Sequence, residues 1–131
     1  MSKFEIDYDF GKKWEKEILD KINIRWKKDE ILETKNLYSK YDYEGKKYKY
    51  ELKSRRNSYN QYPTTLIAKD KILNDKKQIF LFNFTDGLYY IKYRESKFQN
   101  YKCKLFRRYD RGNIDLEKFY YYIPIEDLKK I

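Results

Sequence analysis

The chain has 131 residues, of which 31 are Lys or Arg and 21 are Asp or Glu, so its formal charge is +10. It has no His and a single Cys, Cys103. These absences exclude a Ser-His-Asp or Cys-His catalytic pair, a disulfide framework, and a metal site built from His or several thiolates. Any catalysis must use carboxylates, Lys, Tyr or Arg, for which a hard metal ion is the suitable cofactor.

Length and hydropathy predict one domain that spans residues 1–131. The sequence has neither a run of about 18 apolar residues nor an N-terminal apolar segment, which predicts an intracellular protein that is neither secreted nor membrane-spanning. The positive charge and the 16 Tyr residues favour a nucleic-acid partner. A genome rich in A/T codons would produce the same excess of Lys and Tyr, so composition leaves both explanations open.

The first predicted element is an amphipathic helix from Phe10 to Ile24. Glu15 lies inside its apolar arc, because a helical wheel places it between Ile22 and Leu19. A carboxylate on a buried face is costly unless it is paired or bound to a cation. Glu15 therefore either sits at the edge of the stripe, reaching water or a Lys, or faces a cation site.

A hairpin is predicted next, from a strand-like stretch, Ile31 to Tyr43, and a second strand, Lys47 to Ser54. Gly45 would be the first central residue of a two-residue type II′ turn. This register pairs Glu44 with Lys47, Asp42 with Lys49, and Lys40 with Glu51.

Strand alternation places Lys49, Glu51 and Lys53 on one face of this hairpin. An isolated Glu-x-Lys of this kind is usually a solvated edge. The predicted turn brings Asp42 to the same face, diagonal to Glu51 at about 7–8 Å between backbones. Two carboxylates at that separation can converge on one divalent cation.

The second half of the chain is predicted to contain a loop, a helix and several strands. Ile79 to Phe84 is nearly all apolar and indicates a buried strand. The other elements are a loop over Arg55 to Tyr62, a short helix over Thr64 to Asn74 after Pro63, a turn at Thr85 to Gly87, strands over Leu88 to Tyr93, Lys104 to Tyr109 and Lys118 to Ile125, a polar excursion over Arg94 to Lys102, and a short helix after Pro124. This order predicts a mixed α+β, or α/β, fold.

A helix glutamate, then Asp42, then Glu51-Leu52-Lys53 on the second strand of a hairpin resembles the PD-(D/E)XK nuclease superfamily. The sequence departs from the family name at one position, because Tyr41 rather than Pro precedes Asp42. The resemblance covers approximately residues 10–84. It implies a restriction-endonuclease-like core, with a central mixed sheet flanked by an N-terminal helix and a second helix.

The resemblance also implies a set of roles. Asp42 and Glu51 would bind Mg²⁺ or Mn²⁺, together with the backbone carbonyl of Leu52. Lys53 would orient or deprotonate the attacking water, and Glu15 would hold a metal-bound water or a second ion. The implied activity is hydrolysis of phosphodiester bonds in DNA by an endonuclease, and RNA is not excluded as a substrate.

Basic and polar residues beyond the second hairpin strand are predicted to rim this site and contact nucleic acid. Each has the alternative role of an ordinary solvated loop residue. A second basic-aromatic cluster, around Tyr109, suits phosphate contacts or stacking. The predicted nucleic-acid-binding residues are Arg55, Arg56, Asn57, Tyr59, Gln61, Lys69, Lys71, Arg107 and Arg108.

The sequence is also compatible with two other functions. One is a nucleic-acid-binding module of the same fold without catalytic activity, and the other is an interaction protein whose charge reflects genome composition alone. A homodimer is expected if the protein cuts both strands, and the strand near Phe119 is the candidate interface.

Overall fold

The structure is a computed structural model, and it describes residues 15–34, 39, 41–106 and 117–131. The first helix, α1, is described over 15–25, which confirms the predicted helix within this range. Its apolar residues Ile18 and Ile22 are buried. Its exposed side is charged apart from Ile24, as expected for a helix that packs on a core with one stripe. The predicted start at Phe10 lies outside the described residues.

Nine strands follow α1 within the described ranges. They are β1 (Leu32–Glu33), β2 (Tyr43–Glu44), β3 (Lys49–Ser54), β4 (Thr64–Ala68), β5 (Gln78–Phe84), β6 (Gly87–Lys92), β7 (Lys102–Phe106), β8 (Lys118–Pro124) and β9 (Lys129–Lys130). A short helix, α2 (Glu95–Phe98), and 3-10 turns at Lys27–Asp29, Lys69–Lys71 and Ile125–Asp127 complete the described elements. The predicted mixed α+β class is confirmed.

The strands form two sheets in the part of the chain that the structure describes. The larger sheet has the order β1-β2-β3-β5-β6-β9, and the smaller has the order β4-β8-β7. In the larger sheet β3 and β5 are parallel, whereas the other pairs are antiparallel. A parallel pair requires a crossover. Here the crossover is β4 with its 3-10 turn, so the excursion that connects β3 to β5 also contributes a strand to the second sheet.

The helix predicted over Thr64 to Asn74 is wrong. The segment forms β4, whose backbone pairs with β8, for example Thr65 with Ile123 and Ile67 with Tyr121. Thr64, Thr65 and Ile67 are β-branched, which favours a pleated, half-buried strand over a helix. The pairing with β8 decides the outcome, since its residues lie more than fifty positions away in sequence.

The hydrophobic core has two parts, one on each face of β5. Ile79 and Leu81 pack toward α1, with Tyr43 and Tyr50. Phe80, Phe82 and Phe84 pack on the other face, toward the second sheet. Burial on both faces confirms the prediction of a buried strand here, and each buried Phe stabilises the fold by about 1.5–3 kcal/mol.

The hairpin register is the second correction. Glu44 pairs with Lys49 and Tyr43 with Tyr50, so residues 45–48 form the loop and the predicted pairs Glu44–Lys47 and Asp42–Lys49 are wrong. Asp29 occupies this loop, where its carboxylate accepts bonds from the N–H groups of Lys47 and Tyr48. A Cβ at position 45 would overlap that carboxylate, so the loop requires Gly45. The loop still has an even number of residues, so the alternation of faces is preserved.

The single strand predicted over Ile31 to Tyr43 is wrong, because this stretch contains two short strands, β1 and β2, that pair antiparallel with each other. The strand predictions after β4 hold with shifted boundaries. The hairpin of β5 and β6 turns at Thr85-Asp86, and β7 and β8 lie close to the predicted strands. The excursion after β6 is less polar than predicted, because α2 within it buries Phe98 completely. None of the helices in the described part of the chain is long and apolar enough to cross a membrane.

Candidate active site

The Glu-x-Lys pair lies on the face of β3 that points toward the second sheet. Glu51 is in register with Phe80 and Lys53 with Phe82, and both Phe side chains belong to the core on that face. Only 6% of Glu51 is exposed to solvent, and the Lys53 Nζ lies 3.4 Å from its Oε1. Strand alternation therefore brings together the two residues that the sequence predicted to act together.

The crossover adds a second lysine to this pair. Lys71, in the 3-10 turn after β4, places its Nζ 3.5 Å from the same Oε1 of Glu51. The sequence predicted Lys71 as a phosphate contact on a helix. The structure instead places it beside the Glu-x-Lys pair, so one buried carboxylate oxygen is shared by two ammonium groups.

Gln78 holds the crossover in place, a role that the sequence reasoning missed. Its side chain is buried, donates from Nε2 to the Lys71 carbonyl at 2.9 Å, and accepts from the Leu73 N–H at 2.7 Å. A buried Gln needs such partners to offset its desolvation. The signal in the sequence was the polar Gln78 directly before the apolar run 79–82. A polar side chain at the start of a buried strand indicates hydrogen bonds to the backbone of a neighbouring turn.

Asp42 lies directly before β2 and is held by the backbone of the hairpin. Its N–H donates to the Tyr50 carbonyl at 2.9 Å, and its Oδ2 accepts from the Leu52 N–H at 2.7 Å. The described ladder between β2 and β3 ends at Tyr43, so this carboxylate takes the place of a backbone acceptor for Leu52. An ionised carboxylate can accept about four hydrogen bonds, so this single bond uses only part of the acceptor capacity of Asp42.

The site shifts the pKa of both members of the Glu-x-Lys pair. Burial, and then the charge of Asp42, raise the pKa of Glu51, against the opposing effect of Lys53 and Lys71. Burial also lowers the pKa of Lys53, and the cations of Lys71 and Arg55 act in the same direction, while Glu51 opposes them. Each group is thus pushed toward its neutral form, as expected where charges are removed from water.

Glu15 lies at the start of the described part of α1. Its backbone carbonyl accepts a hydrogen bond from the Tyr43 hydroxyl at 3.0 Å. Burial raises the pKa of Tyr43, and the charges of Glu15 and Asp42 add to this effect. Tyr43 packs on the α1 side of the sheet, opposite to the face of Glu51. The described residues contain no group of three or more acidic, His or Cys side chains placed to hold a metal ion, so the metal role of Glu15 stays a prediction.

Two of the predicted rim residues are built into the fold. Arg55 donates to the Thr65 hydroxyl at 3.3 Å and to the Leu66 carbonyl at 2.6 Å, which ties β3 to β4. Tyr59 stacks on Tyr89 with ring centres 4.1 Å apart, and its hydroxyl donates to a backbone carbonyl. These contacts give both side chains a structural role, and their contact with nucleic acid stays a prediction.

The other predicted rim residues are spread over the surface. Asn57 is half-buried and donates to the Ser58 carbonyl, whereas Arg56, Gln61 and Lys69 are exposed. Arg107 and Arg108, together with Tyr109 of the same cluster, lie outside the described residues. Nucleic-acid binding by this group also stays a prediction.

Comparison with known proteins agrees with the resemblance inferred from Asp42, Glu51 and Lys53. A family model described as "Phage putative PDDEXK endonuclease" matches residues 5–131. A search of curated proteins and a search of solved structures gave no match. The family match covers most of the chain, including the crossover and the second sheet. The chain therefore belongs to this family of PDDEXK nucleases, for which nucleic acid is the substrate.

Proposed function

We propose that this protein is a metal-dependent DNA endonuclease whose active site is formed by Asp42, Glu51 and Lys53, with Lys71 beside them. The observation that supports this most strongly is the buried Glu51 carboxylate, which lies within 3.5 Å of two lysines and close enough to Asp42 for that charge to raise its pKa. Catalytic sites commonly combine burial and specific charge partners in this way.

The donor set fits a divalent cation. Mg²⁺ is usually held by one or two carboxylates and keeps several waters, so a cage of three or more acidic side chains is unnecessary. Asp42 and Glu51 would hold the ion, with the Leu52 carbonyl as a further oxygen ligand. A cation there would also relieve the repulsion between the two carboxylates. When bound, it supplies Lewis-acid stabilisation of the charge on the scissile phosphodiester.

The lysines supply the remaining chemistry. Lys53, whose pKa is lowered by burial, can be neutral at a pH where an exposed Lys is charged, so it can take a proton from the attacking water. The water oxygen would form a bond to phosphorus as the bond to the leaving oxygen breaks. The leaving oxygen would take a proton from solvent, and Lys53 would later release its own proton to solvent. Lys71 carries positive charge toward the same point and stabilises the negative charge on the phosphate.

The test is incubation of purified protein with plasmid, linear and branched DNA in Mg²⁺ or Mn²⁺. Lys53→Ala and Glu51→Gln should each lower the cleavage rate by about a thousandfold, because each removes a group that acts on the reacting phosphate. Both variants should bind DNA within a few fold of the unmodified protein, since both leave exposed cations such as Arg56 and Lys69 in place. Glu17→Gln, an exposed Glu on α1, is the matched control and should cleave normally.

A second candidate function, binding without cleavage, is supported by the partners that both acids already have. Glu51 is paired with two lysines, and Asp42 is bonded to the Leu52 backbone, so each has a structural role without a metal. Under this alternative the protein binds DNA but no DNA is cut in either metal. Cleavage that persists in both Lys53→Ala and Glu51→Gln would contradict the proposed active site.

A further inference from the structure

A cavity of about 300 Å³ opens at the end of the larger sheet where β6 ends and β3 begins. Its aromatic walls are Trp26, just after α1, with Tyr48 and Tyr90. Tyr90 is buried, while Trp26 and Tyr48 are half-buried and present part of their rings to the cavity. None of its lining residues belongs to the candidate active site of Asp42, Glu51, Lys53 and Lys71.

The rim of this cavity is strongly positive. Lys92, Arg94, Lys97 and Lys129 line it, and all four are exposed. Asp127 is the acidic residue among the lining residues, and its Oδ2 accepts a hydrogen bond from the Tyr101 hydroxyl at 2.7 Å and lies 3.9 Å from the Lys97 Nζ. Four cations facing one engaged carboxylate favour an anionic ligand.

The aromatic walls are themselves in contact with cations. The Lys92 Nζ lies 4.8 Å from the centre of the Tyr48 ring, and its proximity lowers the pKa of the Tyr48 hydroxyl. The Arg25 guanidinium lies 5.5 Å from the ring centres of both Trp26 and Tyr90, and it donates to the Tyr90 hydroxyl. Rings flanked by cations suit a ligand that combines a flat group with a negative charge.

We propose that this cavity binds one nucleotide of a nucleic-acid strand, with its phosphate on Lys92 and Lys97 and its base against Trp26 and Tyr48. The volume of about 300 Å³ is at the lower end for small-molecule sites and is suited to a single nucleotide. The proposal rests on the proposed function only in that a nuclease has a strand to hold. It adds a second contact point, away from the place of cleavage.

Tryptophan fluorescence tests this directly, because the chain has two Trp residues and one of them, Trp26, lines the cavity. The Trp14→Phe variant leaves Trp26 as the sole Trp, and thymidine 5′-monophosphate, which contains no phosphodiester bond to cleave, is the probe. Addition of the probe without metal should quench Trp26 fluorescence and reach saturation. The quench should weaken as salt rises, since a bound phosphate displaces counterions.

Removing positive charge from the rim of the cavity should weaken binding of the nucleotide. In the Trp14→Phe background, Lys92→Gln with Lys97→Gln should weaken binding by about tenfold or more, the effect expected from lost charge-assisted hydrogen bonds. The matched control is Lys16→Gln with Lys21→Gln, two exposed lysines of α1, and it should change binding by less than about twofold. Lys92→Gln alone serves as a milder variant, with a smaller expected loss, if circular dichroism shows that the double variant is unfolded.

Three outcomes would overturn the proposal. They are an unchanged Trp26 signal, equal losses in the rim and control variants, and binding of inorganic phosphate as strong as that of the nucleotide, which would leave only a nonspecific anion site. Because the readout needs neither metal nor cleavage, it is independent of the active-site test. Cleavage that is abolished by Glu51→Gln, together with no Trp26 quench, would reject this cavity and retain the proposed function.

Discussion

Two buried carboxylates belong to or contact the hairpin of β2 and β3, and they are stabilised in different ways. Asp29 is 7% exposed, and it accepts hydrogen bonds from two loop N–H groups and, at 2.6 Å, from the Tyr50 hydroxyl. Glu51 is 6% exposed, but it is paired with the charged ends of two long side chains, Lys53 and Lys71. One carboxylate is surrounded by fixed dipoles, and the other by charges on flexible stems.

The difference is the one expected between a structural acid, Asp29, and the catalytic acid that we propose at Glu51. Fixed N–H and O–H donors compensate the burial of Asp29, and they also fix the shape of the 45–48 loop. Ammonium groups compensate Glu51 only partly, because burial and the charge of Asp42 still raise its pKa. The flexible stems of Lys53 and Lys71 would let their ammonium groups move away from Glu51 if the proposed cation bound, whereas the backbone donors around Asp29 are fixed. Burial alone therefore does not distinguish these two acids, whereas the type of partner does.

The largest effect on stability is expected at Asp29. Asp29→Ala should lower the free energy of unfolding by about 3 kcal/mol or more, because it leaves buried backbone donors and the Tyr50 hydroxyl without an acceptor. Urea unfolding followed by circular dichroism measures the change. Asp20→Ala, at an exposed position on α1, is the control and should stay within about 0.5 kcal/mol. If Asp29→Ala were as stable as the control, the contrast between the two carboxylates would fail.

A smaller effect is expected at Gln78, which stabilises the fold and also holds the turn that carries Lys71 to the candidate active site. Gln78→Leu should cost about 1–3 kcal/mol, because it leaves the Lys71 carbonyl and the Leu73 N–H without their partner. It should also slow DNA cleavage, since Lys71 is no longer held beside Glu51. Gln99→Leu, at an exposed position, is the control for both readouts. Normal cleavage by a destabilised Gln78→Leu protein would show that Lys71 needs no such support.

The smallest effect is a dependence of stability on pH that belongs to Glu51. Its pKa is raised in the folded state, chiefly by burial, so between its usual and its raised value the folded protein holds a proton that the unfolded chain has lost. The free energy of unfolding therefore falls as pH rises through this window and is level above it. Glu51→Gln removes this titration, so its stability relative to the unmodified protein should improve across the window. If the free energies of unfolding of the two proteins changed with pH in parallel, the pKa of Glu51 would not be raised by folding, and the prediction would fail.

The local sequence pattern predicted that Glu51 and Lys53 lie together, but it did not predict the register of the hairpin of β2 and β3. Alternation along 49–54 was enough to place Glu51 and Lys53 together, because that geometry follows from the strand alone. The turn was misassigned because the loop is shaped by Asp29, which comes from a different element and leaves no mark on the hairpin sequence. The position of Lys71 depends on the crossover, and no local signal shows where the crossover passes.

The fold shows the same division between local and distant effects. Patterns that are satisfied within one element, such as the buried run 79–84 and the amphipathic α1, were predicted correctly. Thr64 to Asn74 was predicted as a helix because Leu66, Ile67, Ile72 and Leu73 have helical spacing. Pairing with β8 overrides that spacing, as tertiary contacts commonly override weak local preference.

Metal binding is the most direct test of the claim that Asp42 and Glu51, rather than Asp29, form the chemical site. Titration with Mn²⁺, with the free ion followed by electron paramagnetic resonance, would measure the affinity of each protein without DNA. Asp42→Asn, which keeps an acceptor for the Leu52 N–H, and Glu51→Gln should each weaken binding by about tenfold or more. Asp86→Asn, at an exposed acid, should bind like the unmodified protein. Equal Mn²⁺ affinity in all four proteins would contradict the account.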